Sequence, residues 1–243
     1  MLASSAAACF LLPQTDPLSG GAPKDAAVGD GSADAEAGWC DSTFCDDFDH
    51  GALGALWTEV RRIDAGFMSL GAPAVSPPNA LVIEQIDGGN KQQKLPMLVK
   101  DLPKGASLRC SFSVLAEVLP AANNSGDLLT FLFAGGGTFV DNEILLSLDK
   151  AGLRLREDVS LLDGGCNCPK FEIGPFPISG ALFTRIAMVT DFATARIFVN
   201  DVEVASHAVT GAGPTPVRVY FGYDRPNGTS RIRVDDFACT VTP

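Results

Sequence analysis

The chain has 243 residues, a formal net charge of −11, 46% hydrophobic and 19% charged residues. That balance excludes a wholly disordered chain and argues against nucleic-acid binding, which needs clustered lysine and arginine. No apolar run approaches the length of a bilayer-spanning helix.

In chain order, the first signal is Ser5-Ala6-Ala7-Ala8-Cys9, small residues leading to a cysteine. It resembles the lipobox of bacterial lipoproteins, in which that cysteine is acylated. Residues 1–9 then read as a signal-like segment, and the protein as an exported lipoprotein facing the periplasm or the cell exterior. Its membrane contact would run through a lipid anchor only. Eight residues precede Cys9 and none is basic. Either translation starts further upstream or Cys9 is an ordinary cysteine. Residues 10–38 are rich in Ala, Gly, Asp and Pro, which predicts a flexible tether. Six cysteines remain: Cys40, Cys45, Cys110, Cys166, Cys168 and Cys239. They suffice for three disulfides in an oxidising compartment, with about 15 connectivities open.

From residue 39 to residue 243 the pattern has a period of two. Leu108, Cys110, Phe112 and Val114 alternate with Arg109, Ser111 and Ser113. Ile144, Leu146 and Leu148 alternate with Glu143, Ser147 and Asp149; Leu153 and Leu155 alternate with Arg154 and Arg156. Val217, Val219 and Phe221 alternate with Arg218 and Tyr220, and Ile232 and Val234 with Arg231 and Arg233. These are strands with one buried face. Asp149-Lys150-Ala151-Gly152 and Asn200-Asp201 sit between such runs as tight hairpin turns. Asp163-Gly164-Gly165 and Asn227-Gly228 mark further turns. About 12–14 strands and no long amphipathic helix predict an all-β sandwich.

Three segments then carry a resemblance. Phe44-Cys45-Asp46-Asp47-Phe48-Asp49 with Leu56-Trp57 resembles the opening strand of concanavalin A-like domains. Phe183–Val189 followed by Ala195–Val204 is similar to a laminin-G-like hairpin. Ile232–Cys239 looks like the closing strand of the same family. The resemblance covers roughly residues 44–240 and implies a two-sheet antiparallel jelly-roll β-sandwich. It also implies that the first and last strands are neighbours, bringing Cys45 or Cys40 near Cys239. The superfamily contains glucanases and many carbohydrate-binding domains.

Candidate chemistry is sparse. The glucanase run of acids on one strand is missing; Asp141-Asn142-Glu143, with Asp149 next, is the nearest approach. Neither His50 nor His207 stands in a nucleophile motif, so no catalytic residue is assigned. Cys166-Asn167-Cys168 is spaced too tightly for a usual zinc knuckle and reads as disulfide-bonded. Asp46, Asp47 and Asp49, with Asp235 and Asp236 brought alongside, form a candidate calcium site of hard oxygen ligands. Tyr220, Tyr223, Asp224, Arg225 and Asn227 cluster at a strand end as a candidate binding rim, with Asn142 and Glu143 as neighbours. The strand arginines, Arg154, Arg156, Arg185, Arg196, Arg218, Arg231 and Arg233, are expected to pair across strands with acids such as Glu203 and Asp235.

The sequence thus points to a non-catalytic cell-surface binding or adhesion module, with glycan or polysaccharide as partner class and calcium as the one candidate cofactor. The alternatives are a degenerate or unrecognised glycoside hydrolase and a structural surface protein without a small ligand.

Overall fold

The computed structural model describes residues 40–61, 66–85, 97–121, 125–134, 139–161, 168–210, 217–224 and 228–243. Residues 1–9 with Cys9, the segment 10–38, and Cys166, Arg225 and Asn227 lie outside the described residues. Cys168 and Asp224 are described as strand backbone only.

Fifteen strands and no helix are found among the described residues. They are β1 (Phe44–Asp46), β2 (Glu59–Arg61), β3 (Gly66–Gly71), β4 (Ala80–Gln85), β5 (Met97–Leu102), β6 (Ser107–Val118), β7 (Gly126–Ala134) and β8 (Phe139–Asp149). The chain continues through β9 (Gly152–Leu161), β10 (Cys168–Phe176), β11 (Thr184–Thr190), β12 (Thr194–Val199), β13 (Val202–Ala208), β14 (Val217–Asp224) and β15 (Ser230–Thr242). An eight-stranded sheet runs β13-β12-β11-β6-β15-β4-β3, with β1 added against β15. A seven-stranded sheet runs β10-β9-β8-β7-β14-β5-β2. Every pairing is antiparallel. This is the all-β sandwich expected from the alternation, in the two-sheet antiparallel jelly-roll form that the resemblance implied.

Period-two patterning sends one face of each sheet inward. Leu108, Cys110, Phe112 and Val114 of β6 meet Ile144, Leu146 and Leu148 of β8 and Val217, Val219 and Phe221 of β14 in one buried cluster. Its centre is aromatic. Phe221 and Phe237 lie 4.4 Å apart by ring centroid, Phe44 and Trp57 4.9 Å, and Trp57 and Phe237 5.1 Å. Tilted and edge-on rings of this kind add to the energy of area burial. The Trp57 indole donates to Asp46 Oδ2 at 2.7 Å, so the one polar atom of this large side chain is satisfied inside.

Two of the predicted turns hold, while Asp163-Gly164-Gly165 and Asn227 lie outside the described residues. Asp149 pairs with Gly152 across the β8–β9 hairpin, where Ala151 N–H donates to Asp149 Oδ1. Gly152 has φ +131°, and a Cβ there would meet the Phe176 carbonyl at 2.1 Å. Asn200 (φ 49°) and Asp201 (φ 63°) form the two-residue β12–β13 turn. Positive φ at both central residues matches the right-handed twist of a hairpin.

β1 and β15 lie side by side as the resemblance implied, but the disulfides connect otherwise. Phe44 is opposite Cys239 and Cys45 is opposite Ala238. Adjacent strand residues point to opposite faces, so Cys45 cannot follow Cys239 inward. Cys239 bonds Cys110, its register partner on β6, and Cys45 bonds Cys40. Two disulfides fit an oxidising compartment.

Candidate functional site

The residues proposed as a binding rim divide between two faces. Strand β14 sends Val217, Val219, Phe221 and Tyr223 into the core and Arg218 and Tyr220 outward. Tyr223 is therefore a core residue, not a rim residue. It is fully buried, and its phenol donates to the Leu148 carbonyl at 2.6 Å. Burial pushes that phenol above its ordinary range. Gly126 makes room for it: a Cβ at 126 would lie 2.7 Å from the ring. Asn142 is corrected for the same reason. It shares the parity of Ile144, is fully buried, and donates to Glu157 Oε1 at 2.9 Å and to the Thr210 carbonyl.

Tyr220 does stand outward. Register places Glu59, Val99, Tyr220, Thr130, Leu145, Arg156 and Glu172 in one row across all seven strands. A neighbouring row holds Asp101, Arg218, Leu132, Glu143 and Asp158, so Glu143 shares this face. The Arg61 guanidinium lies 5.0 Å from the Tyr220 ring centroid. Arg218 is fixed to Asp101 at 2.6 and 3.2 Å, and these hydrogen bonds raise its pKa further.

This face is not the solvated surface that alternation alone suggests. Thr130, Ser147, Asp127, Asp149, Arg154 and Asp158 on it are all buried. The charged ones among them are buried as ion pairs. Arg156 grips Asp158 at 2.8–3.1 Å and reaches Asp127 at 3.5 Å, while Arg154 joins Asp149 and, at 3.2 Å, Glu172. Burial works against the Arg156 charge, and the acids outweigh it, raising its pKa. The arginines thus pair with acids as expected, but with other acids than Glu203 and Asp235. Arg233 and Arg231 both meet Glu117, and Arg196 meets Asp191.

The five aspartates of the candidate calcium site act as acceptors for the chain itself. Asp46 Oδ1 accepts Phe48 N–H, Asp47 Oδ1 accepts Asp49 N–H and faces His50 Nδ1, and Asp49 Oδ1 accepts Asn79 N–H. Asp235 Oδ2 accepts Val75 N–H and Ser76 N–H at 2.6 and 2.9 Å, and Asp236 Oδ1 accepts Ser76 Oγ–H. They pin the turn after β1 and the β3–β4 loop. Among the described residues, no group of three or more His, Cys, Asp or Glu side chains is gathered to hold a metal ion.

Burial pushes the Asp235 carboxyl up to about 6 despite its N–H donors, and burial likewise raises Asp46. The folded state therefore holds the Asp235 proton above pH 3.8, where the unfolded chain releases it. The contribution of Asp235 to stability is then fully present below about pH 4 and is lost as pH rises through about 6, by about 3 kcal/mol at most. Thermal melts should show Asp235→Asn gaining on the parent as pH rises across that range. Equal slopes would remove Asp235 as the source.

No protein-family model matches the chain, and no curated protein sequence matches it. Solved structures do share its fold. The cellulose-induced protein Cip1 aligns at 13% identity over 82% of this chain and 97% of that one, with a TM-score of 0.60. Alginate lyase vAL-1 from a Chlorella virus aligns at 10% identity over 76% and 93%, with a TM-score of 0.52. The laminarinase catalytic domain from Thermotoga maritima MSB8 aligns at 10% identity over 84% and 99%, also at 0.52. At these identities the likeness is one of fold, a two-sheet jelly-roll sandwich.

Proposed function

We propose that this protein is a non-catalytic glycan-binding module of the cell surface, built on a laminin-G-like sandwich and carried by a lipid-anchored tether. The observation that carries this reading is the outer face of the seven-stranded sheet. It offers an aromatic ring, Tyr220, between Arg61 and Arg218, in a row across seven strands whose polar members are Glu59, Thr130, Arg156 and Glu172. Saccharide sites combine such a ring with a few fixed polar groups. Proteins named for alginate, laminarin and cellulose recur among those sharing the fold, which supports a polysaccharide partner.

Binding rather than cleavage is supported by the state of the acids. Glycoside hydrolysis needs one carboxyl to give a proton and another to act on the sugar. On this face Glu59, Asp101, Asp127, Asp149, Asp158 and Glu172 each have an arginine partner. Such pairs position groups and are not poised for proton transfer. Calcium remains part of the proposal as an added ligand at the aspartates, tested by chelation.

The test is a binding screen of the whole chain against neutral and acidic polysaccharides, with calcium and with chelator, while released sugar is assayed. Saturable binding without release is expected. Tyr220→Ala should weaken it about tenfold, near 1.4 kcal/mol, while Tyr220→Phe retains most of it. Sugar release abolished by substitution of Glu143 would establish the hydrolase instead. Neither binding nor release would leave a structural surface role.

A further inference from the structure

The opposite face, on the eight-stranded sheet, holds a second recess that owes nothing to Tyr220. Strand β6 runs down its middle, with β11 on one side and β15 on the other. Ser111 is opposite Ala187 of β11 and Ala238 of β15, and Ser113 is opposite Arg185. Four small side chains side by side leave the sheet low there. The bulge between Asp235 and Ala238 turns Asp236 to one wall (φ 52°), beside Thr240, whose hydroxyl donates to Ser42 Oγ at 3.1 Å. Arg109 and Arg185 form the other wall. The recess has a volume of about 350 Å³, within the range of small-ligand sites.

Its polar lining is hydroxyls, two guanidiniums and one carboxylate, with Phe112 and Ala238 the only apolar residues. Both guanidiniums approach the same oxygen, Asp201 Oδ1, at 3.8 and 3.9 Å, beyond hydrogen-bond distance. Asp201 is placed there by its hairpin. Asn200 Oδ1 accepts Arg185 N–H at 3.0 Å, and Asn200 N–H donates to the Arg185 carbonyl at 2.8 Å. Two arginines thus converge on a carboxylate that is too far to satisfy them. Each guanidinium has five donors in a planar fork suited to two-point binding of a carboxylate.

We infer that this recess is a binding site for a carboxylate-bearing sugar unit of an acidic glycan, with Arg109 and Arg185 holding the carboxylate and Ser111, Ser113, Thr240 and Asp236 meeting the hydroxyls. The Asp201 carboxylate marks where the ligand's own carboxylate arrives and competes weakly with it. The seven-stranded face, where acids including Glu143 outnumber the four arginines, does not select such a ligand.

The probe is trigalacturonate, titrated calorimetrically into the whole chain, with its carboxyl-reduced trisaccharide as control. Expected is binding of the acid, at least tenfold weaker binding of the reduced sugar, and weakening by added salt. Arg185→Ala should lower affinity at least tenfold, Ser111→Leu should block the recess, and Asp201→Asn should tighten binding several-fold. Arg185 and Asp201 are 59% and 69% exposed, so the substitutions at these two positions leave the core intact. Tyr220→Ala should change nothing here, which separates this site from the other face. Equal affinity for the acid and its reduced form, or retention in Arg185→Ala, would overturn the inference. So would loss caused by Tyr220→Ala in place of Arg185→Ala, or no binding of the acid at millimolar concentration.

Discussion

Replacing Cys110 and Cys239 together by alanine is expected to lower the unfolding free energy by about 5 kcal/mol. The bond joins residues 129 apart, so it closes a loop of over half the chain. The denatured ensemble loses most when the closed loop is long. The native side also matters. Both cysteines are fully buried in the central cluster, opposite one another on β6 and β15. Two alanines add a small void there. For a domain whose whole stability is on the order of 5–15 kcal/mol, the loss is severe. Chemical denaturation under oxidising conditions should show it directly. A change below about 1 kcal/mol would mean that the unfolded chain is already constrained elsewhere. Removing the Cys40–Cys45 bond, with a separation of only 5, should cost far less.

Glu157→Ala is the second large effect, expected at about 3–5 kcal/mol. Glu157 faces inward from β9 and is fully buried. It accepts Thr210 N–H at 2.6 Å and Asn142 Nδ2–H at 2.9 Å, and His207 Nε2 lies 2.8 Å away. His207 stacks on Phe171, with ring centroids 3.6 Å apart. β9 belongs to the seven-stranded sheet and β13, with His207, to the eight-stranded one. The cluster therefore seals the edge of the sandwich where β10 and β13 end their sheets. Alanine would leave a buried amide, a backbone N–H and an imidazole without their acceptor, the costly way to break such a group. Glu157→Gln keeps one carbonyl oxygen and should cost clearly less. Amide exchange should rise first in β13 and β10. Equal costs for alanine and glutamine would show that packing, not acceptor chemistry, sets the effect.

Most of the fold was legible because burial enforces parity. Leu108, Phe112, Ile144, Leu146, Val219 and Ile232 fell inward as their alternation required, and Asn200-Asp201 and Lys150-Ala151 fell at turns. The same rule was available for two residues placed wrongly. Tyr223 continues the inward series of Val217, Val219 and Phe221, and Asn142 that of Ile144; composition near a turn drew them outward. The Asp235–Ala238 bulge shifts parity within β15, and nothing local in the sequence announces it. Ion pairs such as Arg218–Asp101, separated by 117 residues, depend on strand order, which alternation does not encode. The recess on the eight-stranded sheet lay half in view. Arg109, Ser111 and Ser113 read as one outward face, but their meeting with Arg185 and Asp236 needed the topology.

The pairing of β1 with β15 has a mechanical consequence. Phe44 lies opposite Cys239, and Val241 N–H donates to Thr43 Oγ1 at 2.8 Å, so both ends leave the sandwich at one corner. Tension drawn between those ends pulls the antiparallel pair apart like a zipper, one rung at a time, rather than in shear. β1 has only 3 residues and yields early. Peeling of β15 then stops at Cys239, where the covalent bond passes the load to β6 in the middle of the sheet. A pulled molecule should lengthen by a short first step and then resist.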